Sequence, residues 1–387
     1  MKISLRVARV MGIPIYIHIT FLVILPLFIA VFGLYSTSIF GIRLGFGGMG
    51  LGLPLELVLG TIAALLFFGS VLIHELAHSY VALKYGYEIS GITLFIFGGV
   101  SQIEKVPSKA PGEAIMAFLG PLSSLAIGAL ALPISFLIMD LGEGLAFELP
   151  SIMVGLIGFY NIFLGAFNLI PAFPMDGGRI LRAILAKRMT FMKATQIAAS
   201  TGRTIAIAMA LFGILTLSFW LILIAIFIYF GAGEEERGTR LSESFQGVRV
   251  SELMTRDVST VGPKETVREL LDRMLVEKHM GYPVVENGRL RGVVTLQDAA
   301  RITKEQQWMI QVGEIMSKDV LTASPQTEVM EAIRMLSSKG IGRLIVMEKD
   351  EIVGIVTRTD LVRAMEILSM TGATILRKEG ERGDEGF

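Results

Sequence analysis

The stretch Leu66-Phe-Phe-Gly-Ser70-Val-Leu-Ile-His74-Glu75-Leu-Ala-His78-Ser-Tyr80-Val-Ala-Leu83 sets two imidazoles and a carboxylate inside a run otherwise apolar enough to cross a bilayer. On a helix, His74 and His78 at i and i+4 share one face, and Glu75 falls close enough to poise a water on a metal they hold. Three such side chains are expensive within lipid unless function requires them. The plainer alternative is a pair of buried helix histidines satisfied by carbonyls.

The surrounding sequence agrees with a membrane setting. Of the 35 Lys/Arg and 35 Asp/Glu in the 387 residues, only 13 and 9 fall in residues 1–232, so the remaining 155 residues carry most of the charge. A membrane part is followed by a soluble part. The net charge is zero and no basic cluster follows an aromatic spacing, which argues against a nucleic-acid partner. With no cysteine, a metal must sit on His, Asp or Glu, and the only histidines are His18, His74, His78 and His279.

Apolar runs over residues 13–35, 57–83, 114–139 and 152–169 each read as a span, the first too long for a cleaved signal peptide. Residues 194–230 read as two more, although Thr201, Gly202 and Arg203 lie inside them. Arg203 should then face the protein interior or a wet cavity. The fold class expected is an α-helical polytopic membrane protein of about six transmembrane helices with a small re-entrant β segment, followed by an α/β module. Orientation follows from short-loop Lys/Arg. Lys2, Arg6, Arg9, Lys84, Lys105, Lys109, Arg179, Arg182, Lys187, Arg188 and Lys193 fall on one side, against Arg43 alone on the other. That puts a multi-pass chain in the cell membrane with a cytoplasmic N-terminus, and six spans return the C-terminal half to the cytoplasm. A single span over 194–230 would leave it on the opposite side.

Two histidines leave zinc short of its usual three protein ligands plus water. The run Asn168-Leu-Ile-Pro171-Ala-Phe-Pro174-Met-Asp176-Gly177-Gly178 supplies a third donor: two prolines break the helix, two glycines allow a tight turn, and Asp176 projects from the broken end. Such unwinding is tolerable at membrane depth only where the backbone lines a cavity or is buried in protein. By the span directions, His74, His78 and Asp176 share one depth near the cytoplasmic side. The competing reading of Asp176 is a helix-to-loop turn residue.

At these residues the chain resembles the site-2 protease family of intramembrane zinc metalloproteases. The likeness spans roughly residues 10–232 and includes the His-Glu-x-x-His in a membrane helix, the Asn-x-x-Pro and Asp-Gly elements of a later one, and the intervening Phe97-Gly98-Gly99-Val100 and Gly120-Pro121 segments. It implies one zinc per chain on His74, His78 and Asp176, Glu75 as the catalytic base, Asn168 near the substrate carbonyl, and a transmembrane protein as substrate. Imidazole and carboxylate ligands suit zinc without excluding cobalt or manganese. Asn168 is equally readable as a helix–helix hydrogen-bonding residue or a C-cap. Residues 91–103 are too short and too rich in β-branched and aromatic side chains for a span, and read as a strand pair bent at the glycines. Its edge could capture an extended substrate. His18 reads as interfacial rather than a ligand. The glycines from Gly45 to Gly50 lack the surroundings of a phosphate loop and read as a flexible connector.

After a charged linker (233–249) the chain repeats itself. Val250-Ser-Glu-Leu-Met254 echoes Val312-Gly-Glu-Ile-Met316, and Leu290 to Asp298 echoes Ile352 to Asp360, both at an offset of 62. Residues 250–306 and 312–370 resemble a pair of CBS domains, with 371–387 as a flexible tail. The resemblance implies homodimerisation and an ATP, ADP or AMP regulator contacted by Thr295, Asp298, Thr357 and Asp360. The same residues are also plain helix caps. His279 matches no ligand position. The rival class is a CBS-regulated metal-ion or ion transporter without proteolytic activity, since such pairs also hang from channels. What separates the two is Glu75, because transport has no need of a carboxylate placed to activate water.

Overall fold

Residues 13–35, expected as one apolar helix, instead form a strand and a short helix in the computed structural model, which describes residues 4–95, 98–103 and 112–371. Strand β1 (Ser4–Val10) turns at Met11 and Gly12, both at positive φ, into β2 (Ile13–His18), and helix α1 covers only Phe21–Leu34. The reason for the correction is periodicity: Ile13, Ile15 and Ile17 alternate with Pro14, Tyr16 and His18, and β-branched residues at period two make a strand whatever their mean hydropathy. At 1.5 Å per residue, α1 is about 21 Å long, short of the roughly 30 Å hydrocarbon core.

A hairpin of β3 (Thr37–Ile39) and β4 (Ile42–Leu44) leads into the Gly45–Gly50 loop, which is packed rather than a flexible connector. Phe46 is fully buried, and its N–H donates to the Phe32 carbonyl at 2.8 Å. A Cβ at Gly45 or Gly47 would come within 2.1 Å of the carbonyl oxygen of Tyr35 or Leu34, so backbone lies against backbone.

Helix α2 (Leu53–Lys84) starts at a proline in its first turn and is followed by Gly86 at positive φ. Beyond it, β5 (Ile89–Phe95) and β6 (Gly98–Ile103) form the expected strand pair; Ile96 and Phe97 at its bend lie outside the described residues. One four-stranded sheet results, in the order β1-β2-β5-β6, with β2 and β5 parallel and β6 at an edge.

Helices α3 (Glu113–Asp140) and α4 (Leu145–Asn168) then form an antiparallel pair, followed by the short α5 (Asp176–Leu185), α6 (Phe191–Leu215) and α7 (Phe219–Ser244). Small residues let α3 and α4 approach: a Cβ at Gly128 would sit 2.8 Å from the Gly158 carbonyl oxygen, and one at Gly165 2.9 Å from that of Pro121. Among the described residues, four helices are long and apolar enough to cross a membrane, α2, α3, α4 and α6. The two helices expected over 194–230 are present. The second is apolar only up to Gly233 and continues helically as far as Ser244 through what reads in the sequence as linker. Arg203 pairs with Glu236 of α7 at 2.7 Å, which meets the charge expected at that depth.

The chain divides into two compact units, Met1–Arg240 and Leu241–Phe387. In the second, the first repeat carries α8 (Val250–Leu253), α9 (Val267–Glu277), β7 (Gly281–Glu286), β8 (Arg289–Thr295) and α10 (Leu296–Ala299). The second repeat carries α11 (Val312–Ile315), β9 (Thr322–Ala323), α12 (Val329–Ser338), β10 (Arg343–Glu348), β11 (Glu351–Thr357) and α13 (Arg358–Thr371). The repeats are tied reciprocally. Thr255 bridges to Ile355 while Val293 bridges to Ser317, and the N–H of Val250 donates to the Thr327 carbonyl while that of Val312 donates to Glu265. Each pairing maps onto the other at the sequence offset of 62, which is the mark of a pseudo-two-fold. The expected tail beyond Thr371 lies outside the described residues.

The closest approach of α1 to α2 depends on Gly60, where a Cβ would sit 2.6 Å from the Ile29 carbonyl oxygen and 2.7 Å from the Gly33 nitrogen. Gly60→Val is therefore expected to cost about 1–3 kcal/mol through overpacking. Thermal unfolding of the detergent-solubilised protein should show a midpoint several degrees lower; an unchanged midpoint would mean the contact yields freely.

Candidate metal centre

His74 and His78 project from one face of α2, and Asp176 stands at the first position of α5. The Asp176 Oδ2 lies 3.2 Å from Nε2 of each histidine, and the two Nε2 atoms are 3.1 Å apart. These three are the one metal-competent group of His, Asp or Glu found among the described residues. Each imidazole is aimed by its other nitrogen: His74 Nδ1 meets Ser124 Oγ at 3.0 Å, and His78 Nδ1 meets the Met116 carbonyl at 2.7 Å. With Nδ1 engaged, Nε2 is left for a metal, the arrangement that fixes ring orientation in metal sites. Tetrahedral ligands about 2.0–2.1 Å from zinc lie about 3.3 Å from one another. The three donor atoms present that spacing, so the residues fit the ion.

Helix α3 supplies the wall behind the imidazoles. Met116, Gly120 and Ser124 recur every four residues and share a face, and a Cβ at Gly120 would sit 2.2 Å from His78 Nε2 and 2.8 Å from His74 Nε2. Only glycine leaves room there for both rings. In the sequence alone neither Gly120 nor Ser124 stands out as part of a metal site. The signal that could have found both is the small-residue stripe Gly120, Ser124, Gly128 at i, i+4, i+8.

Asp176 is held by its own tight turn. A Cβ at Gly177 would sit 2.2 Å from the Ile170 carbonyl oxygen, and one at Gly178 2.5 Å from the Phe173 nitrogen, so α5 folds directly onto the Pro171–Pro174 segment. Gly202 of α6 and Gly231 of α7 close on the same segment, each with room for no side chain against Phe173 or Pro174. One turn and a half along α5, the buried Arg182 donates through Nε to Glu113 Oε1 at 2.9 Å and through Nη2 to the same oxygen, and its guanidinium lies over the rings of Phe173 and Phe191. This pair ties α5 to the start of α3. Arg182 thus stands in a buried ion pair, where the charge count treats it as a loop cation, a role invisible to counting because the partner is 69 residues away.

Glu75 is half-buried beside the triad. Ser101 of β6 donates to Glu75 Oε2 at 2.9 Å, and a Cβ at Gly99 would sit 2.3 Å from Glu75 Cγ, so β6 passes directly over the carboxylate. Asn168, the last residue of α4, donates through Nδ2 to the Leu164 carbonyl at 3.0 Å within its own helix. His18 stands apart from the metal-competent group, its Nδ1 engaged by Thr20 at 2.9 Å. In the C-terminal unit, Asp298 Oδ2 accepts from the backbone and hydroxyl of Thr295, at 2.9 and 2.6 Å, and Asp360 Oδ2 does the same for Thr357, at 2.9 and 2.7 Å. The two pairs cap α10 and α13 and line two separate cavities of about 580 and 510 Å³.

Known proteins resemble both halves of the chain. The profile of peptidase family M50 matches residues 137–211, and that of the CBS domain matches 250–305 and 312–367. The chain is 38% identical over 372 residues to zinc metalloprotease MJ0392 of Methanocaldococcus jannaschii, covering 96% of this chain and 98% of that one. It is also similar to the solved structure of a site-2 protease from Methanocaldococcus jannaschii, with 40% identity, TM-score 0.42, and coverage of 60% of this chain and 95% of that chain. Its CBS pair is similar to CBSX2, solved in complex with AMP, at 28% identity and TM-score 0.29, covering 32% of this chain and 99% of that one. The chain belongs to the M50 zinc metalloproteases of the site-2 type, with tandem CBS domains attached. It is an intramembrane zinc metalloprotease, and the transporter alternative falls away.

Removing an outer-shell partner of a metal ligand commonly costs 10–100-fold in affinity. Ser124→Ala should weaken zinc binding by about that factor in a chelator competition. Unchanged affinity would mean that Ser124 does not orient His74.

Proposed function

We propose that His74, His78 and Asp176 hold the zinc, that Glu75 is the catalytic base, and that the enzyme hydrolyses peptide bonds in or near transmembrane segments of other membrane proteins. The observation that carries the reading is the convergence of three donor atoms from distant parts of the chain at 3.1–3.2 Å, with a carboxylate one residue from the first ligand. When bound, zinc lowers the pKa of a water toward about 7 and polarises the scissile carbonyl. Glu75 takes a proton from the attacking water and returns it to the departing amine nitrogen as the C–N bond breaks. Ser101 keeps the Glu75 carboxylate turned toward the site. One N–H of the Asn168 amide is engaged by Leu164, which leaves the other to donate to the substrate carbonyl as charge develops on its oxygen.

A helical substrate hides its peptide bonds in its own hydrogen bonds and must be extended before cleavage. The edge strand β6 lies over Glu75 and offers a row of backbone groups to which an extended segment can add as a fifth strand. Lys84 at the end of α2 and Arg179, Lys187, Arg188 and Lys193 after α4 favour a cytoplasmic placement for the ends of α2 and α4 that carry the site, with cleavage near the cytoplasmic side. The CBS pair takes an adenine nucleotide as regulator. In each repeat one oxygen of Asp298 or Asp360 caps a helix, while the second is left to meet ribose hydroxyls in the adjoining cavity. Homodimerisation through the CBS domains completes the proposal.

Glu75→Gln tests the centre of this account. Reconstituted with a transmembrane substrate, the variant should keep one zinc per chain and lose at least about a thousandfold in cleavage rate, more than the 10²–10⁴-fold range's lower bound for a lost acid–base group. Undiminished cleavage would remove Glu75 from the mechanism.

A further inference from the structure

Gly281 opens β7 and Arg343 opens β10, sixty-two residues later, so they occupy equivalent places in the two repeats. They differ in what they place near the pseudo-two-fold. The Arg343 side chain lies across Gly281, where a Cβ would sit 2.2 Å from Nη1 and 2.6 Å from Cζ. The glycine of one repeat thereby makes room for the single guanidinium of the other at the seam between them.

Arg343 lines both cavities, the one holding Thr357 with Asp360 and the one holding Thr295 with Asp298. Lys278 and Arg363 reach only the first and Arg358 only the second, and all three are exposed, whereas Arg343 is half-buried. Among the described residues no hydrogen bond or ion pair engages the Arg343 side chain. Burial lowers its pKa against the opposing pull of Asp298 and Tyr282, the condition of a cation short of counter-charge. A guanidinium with its donors unspent is suited to bidentate recognition of phosphate.

We propose that Arg343 is one anion-binding residue serving both cavities, so that the CBS pair holds one phosphate-bearing nucleotide tightly per chain and a second one only weakly. The proposal rests on the nucleotide reading given above and adds its stoichiometry and coupling. Two phosphates hydrogen-bonded to one guanidinium lie within about 6 Å of each other, and at that separation their charges repel strongly in a partly buried site. Occupying either cavity therefore weakens the other, and the effect is reciprocal whichever fills first. A nucleoside without phosphate does not use Arg343 and escapes the coupling.

Titration calorimetry on the full-length protein in detergent, with AMP and with adenosine, tests this. Wild type should bind AMP at one tight site and one at least about tenfold weaker, while adenosine fills two sites without coupling. Arg343→Ala should weaken the tight AMP site about tenfold or more and make the two sites equal, leaving adenosine unchanged. Gly281→Leu, which moves the guanidinium without removing it, should also equalise the AMP sites, with intact adenosine binding reporting an intact fold. Two equal AMP sites in wild type, or a tight site indifferent to Arg343→Ala, overturns the shared arginine while leaving nucleotide binding in place. Failure of both AMP and adenosine to bind wild type overturns the nucleotide reading and this inference together.

Discussion

The structure of the membrane unit depends on one demand: a carboxylate from α5 must meet two imidazoles from α2 at hydrogen-bond distance, inside a protein whose surroundings do not forgive stray polar groups. The three atoms sit 3.1–3.2 Å apart. At that spacing, without a shared cation, they would be polar groups gathered at a cost. With one, they are ligands. The glycine on α3 that admits the rings, the serine and carbonyl that aim them, and the broken end of α4 that delivers Asp176 all follow from this demand.

Charge inside the unit is handled by pairing, and the pairs fall where elements must be fixed to one another. Glu113 with Arg182 joins the start of α3 to α5, and Arg203 with Glu236 joins α6 to α7. The first pair is buried, and buried pairs add little net stability, but removing one partner strands a charge and costs about 3–5 kcal/mol; the second is partly exposed at Arg203 and its loss costs less. Their value here is register. Helix α5 carries Asp176 at one end and Arg182 a turn and a half later, so locking the second places the first.

How much of this was legible in the sequence divides by the range of the interaction that decides it. His74, Glu75 and His78 could be read because their geometry is set within one turn of a helix, and Asp176 because two prolines and two glycines announce a broken helix. The 62-residue repeat exposed the CBS pair without any tertiary information. Ser101, Ser124 and the Met116 carbonyl were not legible as partners, since each meets its target through tertiary packing. Residues 13–18 misled because total apolar length outweighed the period-two alternation in them. The Gly45–Gly50 loop misled because backbone packed on backbone leaves no pattern beyond the glycines, which also mark flexible chain.

The two halves solve opposite problems with the same residue. In the membrane unit Gly120 makes room for two imidazoles to converge on one point, and in the CBS pair Gly281 makes room for one arginine to face two cavities. The central claim, a single cation gripped by both histidines and the distant carboxylate, is tested most directly by X-ray absorption at the zinc edge on wild type and Asp176→Ala. The account predicts a first shell at about 2.0–2.1 Å of nitrogen and oxygen only, with the outer-shell signature of two imidazoles and, in the variant, loss of the zinc or of one oxygen scatterer. A shell unchanged by the substitution, or one with a different number of imidazoles, would contradict it.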